Sequence, residues 1–138
     1  MIELLIVLVI AAILASIAWP AYTSQVLRGR RSDAMSALAE ISQAQERWRS
    51  DNPVYASTVA ALDRPLVISR GGHYDLSIVA NSVTAYAYSL RATVKSTSPQ
   101  ANDSLCQTMQ MRLDAGSFAY TSTNSVGANG VPDPCWVR

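Results

Sequence analysis

Residues 1–22 read MIELLIVLVIAAILASIAWPAY, and this stretch decides the fold. From Leu4 to Trp19 there is no charged residue, and Ser16 is the only polar side chain. Because the run has no polar stripe at helical spacing, it does not fit a surface helix of a soluble domain. As a helix it spans about 24 Å, slightly less than the ~30 Å hydrocarbon core of a bilayer. The stretch predicts a helix that lies in a membrane or packs against other helices.

Glu3 stands inside this apolar zone, close to its N-terminal edge. A carboxylate there costs roughly 2.5–3.5 kcal/mol on insertion scales, so it is a functional candidate by default. A cleaved signal peptide needs basic residues before its apolar core, and none precedes Leu4. A simple anchor explains the run but not the acid. A helix that packs beside copies of itself explains both, because Glu3 then meets a positive group, the N-terminal amine of a neighbouring copy.

Three arginines follow the apolar run at Arg28, Arg30 and Arg31. With no positive residue before the run, the positive-inside rule would place the C-terminal part in the cytoplasm. We expect a basic leader ahead of Met1, which would reverse that orientation. The arginines are interpreted as a solvated cluster that pairs with acids of neighbouring subunits, such as Asp33 or Glu40. A lipid or DNA patch is the alternative.

Cys106 and Cys135 are the only cysteines, and they do not form a CxxC pair. With His73 as the only further soft ligand, the sequence predicts no metal site. Downstream of a membrane segment, an extracytoplasmic disulfide is the favoured interpretation, and two free, partly buried thiols are the alternative. A bridge across this spacing would stabilise the fold by roughly 3–4 kcal/mol in the loop-entropy model.

The length, net charge and motif content of the chain restrict the classes of function that it can have. The 138 residues suit one domain, and a formal net charge of +1 gives no electrostatic support for DNA binding, which stays possible. We find no nucleophile–base set, P-loop or dinucleotide motif, so we predict no catalytic residue, no cofactor and no enzyme.

The first 22 residues resemble the N-terminus of bacterial type IV pilins, in which a leader peptidase cuts after a glycine, usually ahead of Phe-Thr-Leu-Ile-Glu-Leu. Glu3-Leu4 matches the Glu-Leu step, and Pro20-Ala21-Tyr22 matches the Pro-Ala-Tyr after the apolar run, at the family's spacing. The residue ahead of Ile2 departs from the family, and Ala12 stands where many pilins have glycine.

The rest of the chain is similar to the head of these proteins, in particular to the pilins named PilE. Those show Tyr-rich strands, a Cys before a strand, a Gly turn and a second Cys followed by Trp. The corresponding pieces here are Gly72–Tyr74, Tyr86–Thr93, Cys106–Asp114, Gly116 and Cys135-Trp136.

The residue pattern itself predicts an α+β fold. An apolar stripe predicts that the helix continues to about Ser50, with Pro20 loosening it. Alternating residues predict strands over residues 73–79, 83–94 and 106–113, with a turn at Asn81-Ser82, and Phe118–Tyr120 is a possible fourth strand. We expect the C-terminal half of the helix to cover a 3–4 stranded antiparallel sheet. The stripe comprises Ala34, Leu38, Ile41, Ala44 and Trp48.

Together these features predict residues 1–22 as a transmembrane and filament-core helix and residues 23–138 as the head. The resemblance implies a subunit that is cut and N-methylated by a prepilin peptidase, held in the bacterial inner membrane and polymerised by the pilus machinery into an extracellular filament. It implies assembly roles for Glu3 and Pro20. The filament would serve adhesion, twitching motility or DNA uptake. The alternatives are a type II secretion pseudopilin and a membrane-anchored periplasmic binding module.

Overall fold

The computed structural model describes residues 2–122 and 133–136. An α-helix, α1, runs from Ile2 to Asp51, about 75 Å at 1.5 Å per residue. It continues as an α-helix through Pro20 and ends just before Pro53, where the sequence predicted its end. Most of the predicted tail loop, residues 122–134, lies outside the described residues.

Four strands follow the helix and form one antiparallel sheet in the order β1-β2-β3-β4. Short 3-10 helices precede β1, at Val59–Ala61, and β3, at Pro99–Asn102. The predicted α+β fold, one long helix with a four-stranded meander, is confirmed. The strands are β1 Tyr74–Ile78, β2 Ala87–Val94, β3 Thr108–Asp114 and β4 Ser117–Ser122.

The connections between strands differ in length. Ala115 and Gly116 have φ values of 46° and 84°, so β3 and β4 are joined by two residues in the left-handed region, as in the tightest hairpins. The β1–β2 connection is longer than the predicted turn at Asn81-Ser82, because β2 begins only at Ala87. Tyr86, which falls inside the strand predicted over residues 83–94, therefore lies before β2, and its side chain is exposed.

The core lies between the C-terminal half of α1 and one face of the sheet. Ala34, Ala37, Leu38, Ile41 and Ala44 are buried, and Trp48 packs against the same cluster, so the predicted stripe is confirmed. The sheet contributes alternate residues, as period-two strands must. These are Tyr74 and Leu76 from β1, Tyr88, Leu90 and Ala92 from β2, and Met109, Met111 and Leu113 from β3.

Two buried polar side chains of α1 form hydrogen bonds inside this core. The Ser42 and Tyr88 hydroxyls lie 2.8 Å apart, and burial raises the pKa of Tyr88 to about 12, so the phenol stays neutral. The Gln45 side chain is fully buried and makes two hydrogen bonds with Ala56, donating to its carbonyl at 2.9 Å and accepting from its N–H at 2.8 Å. These pairs satisfy groups that would otherwise destabilise the core.

Candidate assembly surface and the neck of the head

The N-terminal half of α1 packs against nothing else in the described chain. The large apolar side chains between Ile2 and Trp19 are 52–75% exposed, and the first partly buried helix residue is Val26. This segment is long and apolar enough to cross a bilayer, with a mean hydropathy of 2.7 over its most apolar window. A signal sequence meets the same criterion. The surface is therefore an apolar rod that projects from a folded head.

Glu3 lies in the first turn of α1, where a negative charge interacts favourably with the N-terminal end of the helix dipole. Its side chain is exposed, and we find no hydrogen-bond or ion-pair partner for it among residues 2–122 and 133–136. The structure thus leaves its predicted assembly role open to a partner outside the chain.

Around Pro20, several side-chain hydroxyls donate hydrogen bonds to backbone carbonyls of α1. Pro20 has no N–H, so the carbonyl of Ser16 lacks its usual helical donor. The hydroxyls of Ser16, Thr23 and Ser24 donate to the carbonyls of Ile13, Pro20 and Ala21 at 2.7, 3.0 and 2.8 Å. Hydroxyls bonded back to carbonyls one turn earlier tend to bend helices. The helix is thus locally weakened in this segment.

The head is attached to α1 by a buried ion pair that we call the neck pair, Arg31 and Asp103. Nε and one terminal nitrogen of Arg31 donate to the two carboxylate oxygens of Asp103 at 2.7 and 2.8 Å. The side chains are only 9% and 2% exposed. Gln100 donates a further hydrogen bond to Asp103 at 2.8 Å. Charge-assisted, bidentate geometry of this kind is strong and directional.

The neck pair is surrounded by residues of β1 and of the loop before β3. Ser98 accepts a hydrogen bond from the Gln100 N–H at 3.1 Å, and its hydroxyl lies 2.8 Å from His73 Nδ1. Burial, followed by the negative charge of Asp103, raises the pKa of Tyr74 to about 12. The phenol therefore stays protonated beside the carboxylate.

Two further contacts fasten the turn before β1 to the helix. Asp33 accepts a hydrogen bond from the Gly71 N–H at 3.0 Å, and a Cβ at Gly71 would lie 2.8 Å from that oxygen, so a larger residue there would displace the Asp33 side chain. Glu40 pairs with Arg70 at 2.9 Å. Asp33 and Glu40 thus have partners within the chain. Arg31 is buried against Asp103, so its assignment to a solvated cluster is wrong. For Arg28 and Arg30, pairing with acids of neighbouring subunits stays a prediction.

The predicted disulfide is confirmed between Cys106 and Cys135, both fully buried. It closes a loop with a sequence separation of 29 and fastens residues 133–136 beside the start of β3. Trp136 donates its indole N–H to the Thr121 carbonyl at 3.0 Å, and its ring lies 4.8 Å from that of Tyr120. The end of the described chain is thereby held against β4.

Sequence reasoning did not predict that Arg31 pairs with Asp103 within the chain. A signal was present for Arg31, because residues 31, 34, 38 and 41 share one helix face and only the first is charged. A charged residue on a buried stripe requires a partner. Asp103 gave no such signal, since it stands in a polar loop.

Within residues 2–122 and 133–136 no cluster of His, Cys, Asp and Glu side chains could hold a metal ion.

Comparisons with known proteins agree with this architecture. Residues 20–110 match the family model described as type IV minor pilin ComP, DNA uptake sequence receptor. The chain is also 31% identical, over 137 residues, to the fimbrial protein EcpC of Eikenella corrodens, covering 98% of this chain and 87% of that protein. Both descriptions name pilus proteins. The chain therefore belongs to the type IV pilin family and is a structural subunit of a pilus.

Proposed function

We propose that residues 1–22 hold this subunit in the bacterial inner membrane and then form the core of an extracellular filament, with residues 23–138 as the outward-facing head. Processing by a prepilin peptidase and extraction by the pilus machinery would connect the two states. The role is structural, and no catalytic step is assigned to the chain.

The exposed apolar rod is the observation that carries this proposal. Burying a Leu or Ile side chain stabilises a state by roughly 1.5–3 kcal/mol, so an uncovered row of them does not persist in water. Lipid covers the row in one state and neighbouring helices cover it in the other. A plain membrane anchor accounts for the first state only.

Glu3 and Pro20 have separate roles in this proposal. Glu3 sets the axial stagger, because its carboxylate tolerates an apolar surrounding only where it meets the N-terminal amine of an adjacent copy. Pro20, together with the back-bonded hydroxyls of Ser16, Thr23 and Ser24, supplies a segment of α1 that adjusts during insertion into the filament.

A charge placed on the rod should prevent assembly. We expect Val9→Asp to remove the subunit from filaments, because Val9 is 59% exposed in the monomer and would be buried among apolar helices in a fibre. An aspartate at that depth costs roughly 2.5–3.5 kcal/mol. The measurement is electron microscopy of sheared surface fibres, with mass spectrometry to identify the subunit in them.

The matched control is Val67→Asp, the same exchange at a head residue that is 52% exposed. This variant should be recovered in fibres at the level of the unsubstituted chain. Recovery of Val9→Asp at that level would refute a helical core built from this segment.

DNA capture is a second candidate role for the filament. The matched family is described as a DNA uptake sequence receptor. The outer face of the sheet here has a polar groove of about 350 Å³, lined by Arg91, Thr93, Gln110 and Thr121 among others. The Arg91 side chain is partly exposed and has no ion-pair partner among the described residues, although its Nε atom is buried. A phosphate oxygen would suit this guanidinium, since arginine pairs readily with phosphate.

Arg91→Gln should therefore weaken binding of duplex DNA to purified filaments at low salt. Loss of one phosphate contact should lower the slope of log affinity against log salt by about 0.9. Binding is measured by fluorescence anisotropy of labelled duplex across a salt series. Arg112→Gln is the control, because Arg112 lies on the same face but is already paired with Asp114 at 2.8 Å. Equal effects of both substitutions would exclude a specific role for Arg91.

A further inference from the structure

Two open grooves lie beside α1 where the helix enters the head, and we call them the neck grooves. One, of about 580 Å³, has Arg28 and Leu105 in its lining. The other, of about 350 Å³, has Tyr22 and Arg30 in its lining. Asn102 contributes to both. Arg31 also lines the first groove but is bound to Asp103, so each groove presents one arginine without an acidic partner, on the side of the head nearest the apolar rod.

Neither Arg28 nor Arg30 has an acidic partner among residues 2–122 and 133–136. Asp103 lines the Arg28 groove, but both of its carboxylate oxygens already accept hydrogen bonds from Arg31. Asp33 accepts a backbone N–H from the turn before β1. The two guanidinium groups consequently carry uncompensated positive charge close to an apolar segment.

The backbone positions of the two arginines lie a few ångströms beyond the headgroup layer of a bilayer. The helix from Ile2 to Trp19 is about 27 Å long, close to the ~30 Å hydrocarbon thickness. Arg28 and Arg30 follow Trp19 by about 14 and 16 Å along the axis. Side chains of a helix lean toward its N-terminus, and long basic side chains extend further toward an interface. Both arginines therefore reach back toward the lipid headgroups.

The apolar and aromatic residues around the grooves suit the same location. Trp19 and Tyr22 are exposed at the end of the rod, where such rings favour the boundary between hydrocarbon and headgroups. Leu105, from the loop beside the Arg28 groove, is 53% exposed.

We propose that the neck grooves bind the phosphate groups of anionic phospholipids, one at Arg28 and one at Arg30, while the subunit is in the membrane. The inference rests on the proposed membrane-held state. Guanidinium groups pair with phosphate through two parallel hydrogen bonds, which fixes both position and orientation. The two contacts, on opposite sides of α1, hold the head at a defined height on the bilayer and are released on extraction.

The test uses the full oxidised chain in mixed micelles with equal amounts of phosphatidylglycerol and phosphatidylcholine. Native mass spectrometry counts the lipids that stay bound. The unsubstituted chain should retain phosphatidylglycerol in preference to phosphatidylcholine. In Arg28→Gln/Arg30→Gln this preference should fall about 25-fold, roughly fivefold for each arginine. The matched control is Arg47→Gln/Arg64→Gln, which removes two exposed arginines from a groove farther along the head and should keep the preference.

Each other outcome overturns the proposal. Equal retention of both lipids by the unsubstituted chain, or an unchanged preference in Arg28→Gln/Arg30→Gln, removes the lipid site. An equal loss of lipid preference in Arg47→Gln/Arg64→Gln would show that the preference depends only on the overall charge of the chain. Loss of fibres with an unchanged lipid preference assigns the arginines to an acid of a neighbouring subunit. Flotation with phosphatidylcholine vesicles separates this proposal from the proposed membrane-held state. If the chain floats but shows no lipid preference, only lipid binding in the neck grooves is rejected. If the chain does not float, the membrane-held state is rejected as well.

Discussion

Asp103→Ala is expected to lower the free energy of unfolding of the head by about 3–5 kcal/mol. The substitution leaves the Arg31 guanidinium buried without its counter-ion and removes the acceptor for Gln100. For a chain of this size the shift corresponds to a melting temperature lower by roughly 10–20 °C. The measurement is thermal unfolding of the full oxidised chain in mild detergent, followed by near-ultraviolet circular dichroism.

Two further variants separate the ion pair from a general loss of charge. Asp63→Ala removes an exposed carboxylate and should change stability by no more than about 0.5 kcal/mol. Arg31→Met/Asp103→Leu replaces both partners by apolar side chains and should recover most of the loss, as buried ion pairs often allow. If Asp103→Ala is as stable as Asp63→Ala, the neck pair does not hold the head to the helix.

The second large effect is expected at Glu3. Glu3→Ala should insert into membranes normally, since it removes a charge from an apolar segment. It should fail to assemble, because the N-terminal amine of the adjacent subunit then lacks its carboxylate. Breaking a buried pair costs about 3–5 kcal/mol, equivalent to a loss of roughly 150- to 5,000-fold in the association constant between subunits. Fibre yield after shearing, compared with the subunit content of the membrane fraction, measures the effect.

Glu3→Gln distinguishes charge from shape, because it keeps the size of the side chain and removes the charge. It should assemble as poorly as Glu3→Ala. Glu46→Gln is the control, since Glu46 is an exposed glutamate of the same helix, and its amide replacement still accepts from the Tyr55 hydroxyl, which lies 3.2 Å from Glu46 in the present structure. Normal fibre yield from Glu3→Ala would end the proposal that this acid sets the register.

The fold was largely predictable because its elements follow local rules. Three- and four-residue spacing gave the buried stripe of α1, and two-residue alternation gave the buried faces of the strands. The cysteine pairing followed from two cysteines behind a membrane segment. Tyr86 was included in the second strand because alternation cannot tell where a strand begins, and here β2 starts at Ala87, four residues later than predicted.

The neck pair shows where local rules end. Arg31 and Asp103 are 72 residues apart, and their contact depends on how the loop before β3 passes under the helix. No spacing rule connects an arginine on a helix with an aspartate in a polar loop. The role of Glu3 is likewise beyond a single chain, because its proposed partner belongs to another copy.

The distribution of ties along α1 has a mechanical consequence. The side chains that bond the helix to the head belong to residues 31–49. Pro20 and the back-bonded hydroxyls beside it lie in a stretch whose side chains form no such bonds to the described residues of the head. In a fibre under tension, the disulfide-bonded heads, in which the sheet packs against the helix, would therefore resist deformation. The strain would be concentrated in the unsupported stretch around Pro20. We expect such a fibre to lengthen by unwinding that stretch, with each head keeping its shape.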